Sequence, residues 1–183
     1  MTHLKLETNS VSPISQAIYD SSKKALGFVP NMYTKMGQNP ALLDSYIYAY
    51  NSFRANSGFN PIEQEIVFLS VAYENSCEYC MAAHSFIADA MSKVPTEITD
   101  AIRDGKQIPD AKLAALSKLT RSLTVSRGNV SQDEIDAFLA AGFTENHVLG
   151  IIAGIAVKTM SNYSNHITHP EIDSAFEGRV WKK

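Results

Sequence analysis

The stretch Asn75-Ser76-Cys77-Glu78-Tyr79-Cys80-Met81-Ala82-Ala83-His84 holds both cysteines of the 183-residue chain. Two thiols at this spacing, followed one helical turn later by a histidine, can form a redox pair, part of a metal site or a structural disulfide. On a helix, Cys77 and Cys80 lie one turn apart and face the same way, so their sulfurs can approach bonding distance. Asn75 or Ser76 can cap that helix, and Glu78 falls in its first turn. A helix start favours an anion through its unpaired N–H groups and its dipole. The thiols are therefore expected to ionise easily; such pairs have pKa values of about 3.5 to about 7.5. The thiolate is the form that attacks a peroxide or a disulfide. His84 shares the face of both cysteines and can take or give a proton.

A proton relay needs a second group to orient the histidine. Glu65, on the preceding helical segment, shares a face with Leu69 and Ala72, whereas Glu63 belongs to the helix start. On the pattern alone Glu65 is either a paired site residue or a surface carboxylate. Other chemistries fit the same residues. A zinc site would use Cys77, Cys80 and His84, with His147, His166 or His169 as fourth ligand, although structural zinc sites usually carry a second short-spaced cysteine pair. A thioredoxin-like protein would need βαβ units, which the sequence does not display. Chance burial of two free cysteines is the plainest alternative.

The elements that must position these residues all read as helices. Asn39-Pro40 opens one that carries Leu42, Leu43, Tyr46, Ile47, Tyr50 and Phe53 and closes at Gly58. Asn60-Pro61-Ile62-Glu63 opens the next with a capping-box pattern and an apolar stripe of Ile62, Ile66, Leu69 and Tyr73. Further starts stand at Pro95, Pro109-Asp110 and Ser131-Gln132-Asp133-Glu134, and a long helix is expected from about Thr144 to about Asn165. Ile14 and Ile18 suggest an earlier helix, and Leu26-Gly27-Phe28-Val29-Pro30 a packed turn. No stretch alternates with period two, so the expected class is all-α: one helical domain, 1–183. It divides into an N-terminal extension 1–38, a redox-active unit 39–92, a second helical unit 110–168 and a tail 169–183. An offset of 84 residues aligns Gly58-Phe59 with Gly142-Phe143 and Cys77-Glu78-Tyr79-Cys80 with Ser161-Asn162-Tyr163-Ser164. Two readings stand, a duplicated helical unit with hydroxyls in place of thiols, or coincidence between amphipathic helices.

A net charge of -3 gives no electrostatic reason to expect nucleic acid or an anionic membrane as partner. The N-terminus lacks a signal-peptide pattern and no apolar run reaches membrane-spanning length, so a cytoplasmic location is expected. There, a close cysteine pair is more often catalytic or metal-binding than structural. Tyr46, Tyr48, Tyr50 and Phe53 put aromatics around one helix; this suits either a subunit interface or an interior helix.

These motifs together resemble the alkylhydroperoxidase D-like, carboxymuconolactone decarboxylase superfamily, in particular its peroxidase-related branch. The resemblance rests on Leu26-Gly27-Phe28-Val29-Pro30-Asn31 with Asn39-Pro40-Ala41-Leu42-Leu43, on Glu65 with Cys77-x-Tyr79-Cys80-x-x-x-His84, and on Asn162-Tyr163-Ser164-Asn165-His166. It implies a compact helical bundle and a thiol-dependent peroxidase. In that scheme Cys80 attacks the hydroperoxide, Cys77 resolves the sulfenic acid as a disulfide, and Glu65 and His84 relay protons. It also implies a homo-oligomer, no metal, flavin or haem, and an external protein or low-molecular-weight thiol as reductant. The well-described alkylhydroperoxidase D proteins carry a histidine where this chain has Tyr79, a poor base near neutral pH. That departure keeps open a dithiol redox adaptor or disulfide reductase with little peroxidase turnover. A zinc-stabilised helical module with no redox role is the third reading. The superfamily's carboxylactone decarboxylases characteristically lack the cysteine pair, which argues against that activity.

Overall fold

Helix boundaries follow the capping residues. In the computed structural model, which describes Leu4, Leu6 and residues 10–183, Ser12 caps α1 (Pro13–Leu26) by accepting from the Ser15 N–H. The remainder of the expected extension 1–38, namely residues 1–3, 5 and 7–9, lies outside the described residues. After α2 (Asn31–Met36), Asn39 caps α3 (Pro40–Asn56), and Asn60 and Glu63 form the capping box of α4 (Pro61–Glu74). A short turn leads to α5 (Glu78–Ile87), which ends in a π-helical turn, Ala88–Ser92. Then come α6 (Thr96–Arg103), α7 (Ala111–Ser126) behind Asp110, and α8 (Gln132–Ala140) behind the Ser131–Glu134 capping box. The chain continues through α9 (Glu145–Thr168) and finishes with a 3₁₀ segment, Ser174–Arg179. Each side-chain cap contributes about 0.5–2 kcal/mol, enough to decide where a helix starts. The protein is all-α, with no strand among the described residues.

The expected stripe on α4 is narrower than the face it buries. Every residue from Glu63 to Ala72 is buried, because α5, α6, α7 and α9 pack around the helix on all sides. Ile66, Phe68 and Leu69 are completely covered, and each such side chain stabilises the fold by about 1.5–3 kcal/mol. A helix wrapped this way has no solvent face for a polar residue to escape to. Any charge on it must find a partner inside.

The long helix α9 crosses α3 and α4 at close range. A Cβ on Gly154 would stand 2.6 Å from Val67 Cγ1 and 3.0 Å from the Phe53 ring, and one on Gly150 would stand 2.7 Å from the Ser57 carbonyl oxygen. Lys158, Ser161 and Asn165 follow on the same buried side of the helix. The two glycines thus bring the polar half of α9 against the cysteine segment. Over the span that the 84-residue offset aligns with α4, the turn and α5, α9 is one unbroken helix. Its Ser161 and Asn165 hydrogen-bond the cysteines.

Two further expectations are refined. On α3, Tyr46 and Phe53 are buried and Tyr50 is half-buried within this chain, while Tyr48 is 78% exposed. The tail 169–183 folds back onto α5 and buries Phe176 and Trp181; the Trp181 indole N–H donates to the Arg103 carbonyl at 2.8 Å. Among the described residues, no single helix is long and apolar enough to cross a membrane.

Candidate active site

The turn before α5 sets the two thiols. Asn75 ends α4 rather than starting α5, Ser76 takes a left-handed conformation (φ 53°), and Cys77 itself is the N-cap. Its backbone N–H donates to the Ala72 carbonyl at 2.9 Å, which ties the turn to the central helix. Cys80 follows in the first turn of α5. The two cysteines are free, buried and 3.5 Å apart, within reach of a disulfide after a small adjustment but not bonded.

Their surroundings separate them electrically. Burial opposes ionisation of Cys80, but the hydrogen bond with Cys77, the Lys158 charge, the neighbouring His84 and the Ser161 hydroxyl, 3.7 Å away, outweigh it and pull its pKa well below the usual thiol value. The Cys77 thiol is pushed strongly up by its hydrogen bond to Cys80, then by burial. Ionisation is therefore favoured at Cys80 over Cys77. The helix-start argument alone predicts easy ionisation for both; the structure divides them because two charges cannot share so small a buried space. Asn165 Nδ2 donates to Cys80 Sγ at 3.3 Å and to Cys77 Sγ at 3.6 Å, a further support for negative charge on sulfur.

Glu65 is fully buried, which resolves the ambiguity of its helical pattern. Its Oε2 binds His84 Nδ1 at 2.8 Å, and its Oε1 accepts from the Arg54 guanidinium. Arg54 is held in turn by the Tyr50 hydroxyl and by Gln64 Oε1, at 2.8 and 3.1 Å. Burial would raise the Glu65 carboxyl, but His84 and Arg54 more than offset this and keep it ionised below the usual range. Burial, together with Lys158, lowers the His84 pKa against the pull of Glu65, so the ring is neutral near pH 7. Neutral His84 donates through Nδ1–H to Glu65, which leaves Nε2 as an acceptor for the cavity that His84 lines.

That cavity, about 670 Å³, reaches Cys80, His84, Arg54 and Lys158 at its polar end. Elsewhere aromatic side chains wall it, among them Tyr33, Tyr46, Tyr50 and Phe176. Cys77 lines a different cleft of about 420 Å³, together with Asn165, His166 and His169. The dithiol thus forms a partition between two openings.

Tyr79 borders both openings, but its hydroxyl is engaged by groups other than the sulfurs. Its hydroxyl donates to Asp173, whose carboxylate also accepts the Asn31 N–H at the start of α2 at 3.1 Å. Burial first, and then that carboxylate, push the phenol far above its ordinary value, so it remains protonated. Tyr79 pins the C-terminal segment and α2 to the active helix. Of the other candidate zinc ligands, His147 bonds the Thr144 N–H and hydroxyl at the start of α9, while His166 and His169 border the Cys77 cleft, yet no group of three or more His, Cys, Asp or Glu side chains converges as a metal site among the described residues.

Four contributors escaped the sequence reading: Arg54, Lys158, Ser161 and Asn165. Ser161 and Asn165 fall in segments that the 84-residue offset and the resemblance pick out, though without a site role, and Lys158 carried a signal as a lone charge beside the apolar run Ile151-Ile152-Ala153-Gly154-Ile155-Ala156-Val157. It is 0% exposed, and its Nζ has no hydrogen-bond partner among the described residues.

No protein-family model and no curated protein matches the chain. Solved structures do. A peroxidase-related protein from Silicibacter sp. TM1040 superposes with a TM-score of 0.83 at 19% identity, covering 97% of this chain and 95% of that one. An alkylhydroperoxidase AhpD core, a peroxidase-related protein from Ralstonia eutropha JMP134, gives 0.84 at 20% identity over 99% and 98%. The debrominase Bmp8, as a cysteine-to-alanine variant in complex with 2,3,4-tribromopyrrole, gives 0.74 at 19% identity over 97% and 94%. The fold of this chain is the alkylhydroperoxidase D-like fold of the peroxidase-related proteins.

Proposed function

We propose that this protein, built on the alkylhydroperoxidase D-like fold, is a thiol-dependent peroxidase whose reacting sulfur is Cys80. The observation that carries the reading is the pairing, on one cavity wall, of a thiol whose ionised form is favoured with a histidine fixed by a buried carboxylate. A hydroperoxide enters the aromatic-walled cavity and Cys80 thiolate attacks its terminal oxygen. The O–O bond breaks, Cys80 becomes a sulfenic acid, and the leaving alkoxide takes one proton from solvent, relayed through a water held at His84 Nε2, with Glu65 holding the ring. Cys77, still a thiol, then attacks the Cys80 sulfur; the S–S bond forms, and the hydroxyl leaves as water with the Cys77 proton. An external thiol reductant restores the dithiol by exchange, and the cleft on the Cys77 side offers it a route separate from the substrate's. No metal or organic cofactor takes part in this scheme.

Cumene hydroperoxide consumption with dithiothreitol tests the assignment. Cys80→Ser is expected to fall to the uncatalysed rate; a variant that keeps the wild-type rate would falsify Cys80 as nucleophile. Cys77→Ser is expected to accumulate the sulfenic acid, trapped by dimedone and seen by mass spectrometry on the Cys80 peptide.

The size of the cavity favours a second reading, since a simple peroxide needs far less than about 670 Å³. The dithiol would then reduce a bulkier organic substrate or a disulfide, as a reductase or redox adaptor. For a halogenated aromatic ring of the kind the debrominase holds, the pair would deliver two electrons and the Cys77 proton to carbon, release halide and close the disulfide. Halide release from a bromopyrrole, compared with peroxide consumption on the same preparation, separates the two.

A further inference from the structure

The buried charges at the polar end of the cavity balance only in one redox state. Arg54 and Lys158 contribute two positive charges, Glu65 one negative, and neutral His84 none. Glu65 is committed to Arg54 and His84. Asp173, across α5, is committed to the Asn31 N–H and the Tyr79 hydroxyl. Among the described residues, Lys158 therefore has no carboxylate of its own. Its Nζ lies 5.4 Å from the centre of the Phe68 ring without a hydrogen-bond partner among the described residues, and the residue lines the cavity. Among the described residues, the anion that answers it is the Cys80 thiolate, on which the Lys158 charge acts.

We propose that Lys158 makes the inner end of this cavity an anion subsite that alternates with redox state. In the reduced protein the Cys80 thiolate neutralises it; in the oxidised protein it accepts the carboxylate, or a similar monoanionic group, of an aromatic ligand. Oxidation removes the thiolate charge, because the Cys80 thiolate and the Cys77 thiol become a disulfide, with two electrons and the Cys77 proton passing to the oxidant. The ammonium is then left unpaired in an apolar enclosure, where an isolated charge is strongly disfavoured. A ligand with its ring among Tyr33, Tyr46 and Tyr50 and its carboxylate at Lys158 restores the balance. The inference rests on the dithiol reading of the site but not on peroxide as the substrate.

Benzoate, with benzamide as its neutral counterpart, is the probe, and calorimetry on the whole protein needs no turnover. Diamide closes the disulfide, taking two electrons with one proton from Cys77 and one from solvent. Benzoate is expected to bind the oxidised protein at least about fivefold more tightly than the dithiothreitol-reduced protein, the lower end of ordinary coupling between sites. Cys80→Ser, which has no thiolate and forms no disulfide, is expected to bind like the oxidised form. Lys158→Met is expected to abolish the preference for benzoate over benzamide in both. Linkage provides a measurement without substitution: a tenfold preference lowers the dithiol midpoint potential by about 30 mV at saturating benzoate. Equal affinity in the two redox states, an unmoved potential, or Lys158→Met binding as wild type overturns the subsite. Peroxide turnover without differential binding would leave the peroxidase reading standing and the subsite refuted; differential binding without turnover would do the reverse.

Discussion

At the scale of single residues, the site is a small set of charges and thiols, most of them held by named neighbours and one, Lys158, without a hydrogen-bond partner among the described residues. Lys158 is central because its charge acts on Cys80, Cys77 and His84 together. Lys158→Met is expected to move the pH midpoint of iodoacetamide labelling at Cys80, read on the Cys80 peptide, upward by about 1–3, the usual effect of losing a close opposite charge. An unmoved midpoint would mean that other donors, Asn165 and Ser161, hold the thiolate. Glu65→Gln leaves Arg54 without its carboxylate and His84 without its orienting acceptor. Removing one partner of a buried pair costs about 3–5 kcal/mol, and the partial exposure of Arg54 places the expected loss at the lower end. Urea denaturation should show a lower midpoint at unchanged slope; a wild-type midpoint would refute the buried pairing. The pair Cys77–Cys80 and the histidine one turn on were legible from spacing, because i, i+3 and i+4 positions share a face in any helix. Glu65 was ambiguous because one helix's pattern cannot say how many sides of it are covered.

At the scale of elements, the close crossing of α9 over α4 decides what meets the thiols. Gly154→Ala sets two effects against each other. Alanine raises helix propensity by about 0.8–1 kcal/mol, while a methyl 2.6 Å from Val67 Cγ1 forces apart a close-packed contact at a cost of about 1–3 kcal/mol. The packing effect should win, lowering Tm by a few degrees and slowing thiol labelling as Lys158 and Asn165 withdraw. A Tm above wild type would show that the crossing has slack. Helix starts were readable because Asn, Ser, Asp and Pro act locally at the first turn. The start of α5 was not, since Ser76 is bent into the left-handed region by the need to return the chain against α4 at Ala72.

At the scale of the whole molecule, pH and assembly are the informative variables. The folded-state pKa values of Glu65 and His84 both lie below their unfolded ones. Each contributes stability that is fully present above the unfolded value and lost as pH falls through the folded one. The histidine acts first, so Tm should begin to decline below about pH 6.5, the ordinary histidine value, and the carboxylate should steepen the loss below about pH 4.3. His84→Gln is expected to flatten the first part of this decline; an identical profile would show that His84 is not held neutral by the fold. Leu149, Ile152 and Tyr163 line the outer side of α9, 65%, 49% and 58% exposed. If the expected homo-oligomer forms through this stripe rather than through α3, Ile152→Glu should lower the sedimentation mass, and an unchanged mass would place the interface elsewhere.

The sequence by itself determined an all-α chain, most of the helix starts, and a dithiol with a histidine on one face. All of these depend on interactions within about one turn of helix, which spacing encodes directly. Only the tertiary structure decided that Glu65 is buried, that Tyr79 serves Asp173 rather than the sulfurs, and that the two thiols differ in charge. It alone brought Arg54, Lys158 and Asn165 to the site. Those outcomes depend on which helix covers which, on the field of charges far apart in the chain, and on a close crossing that glycines permit. None of these leaves a mark in local periodicity.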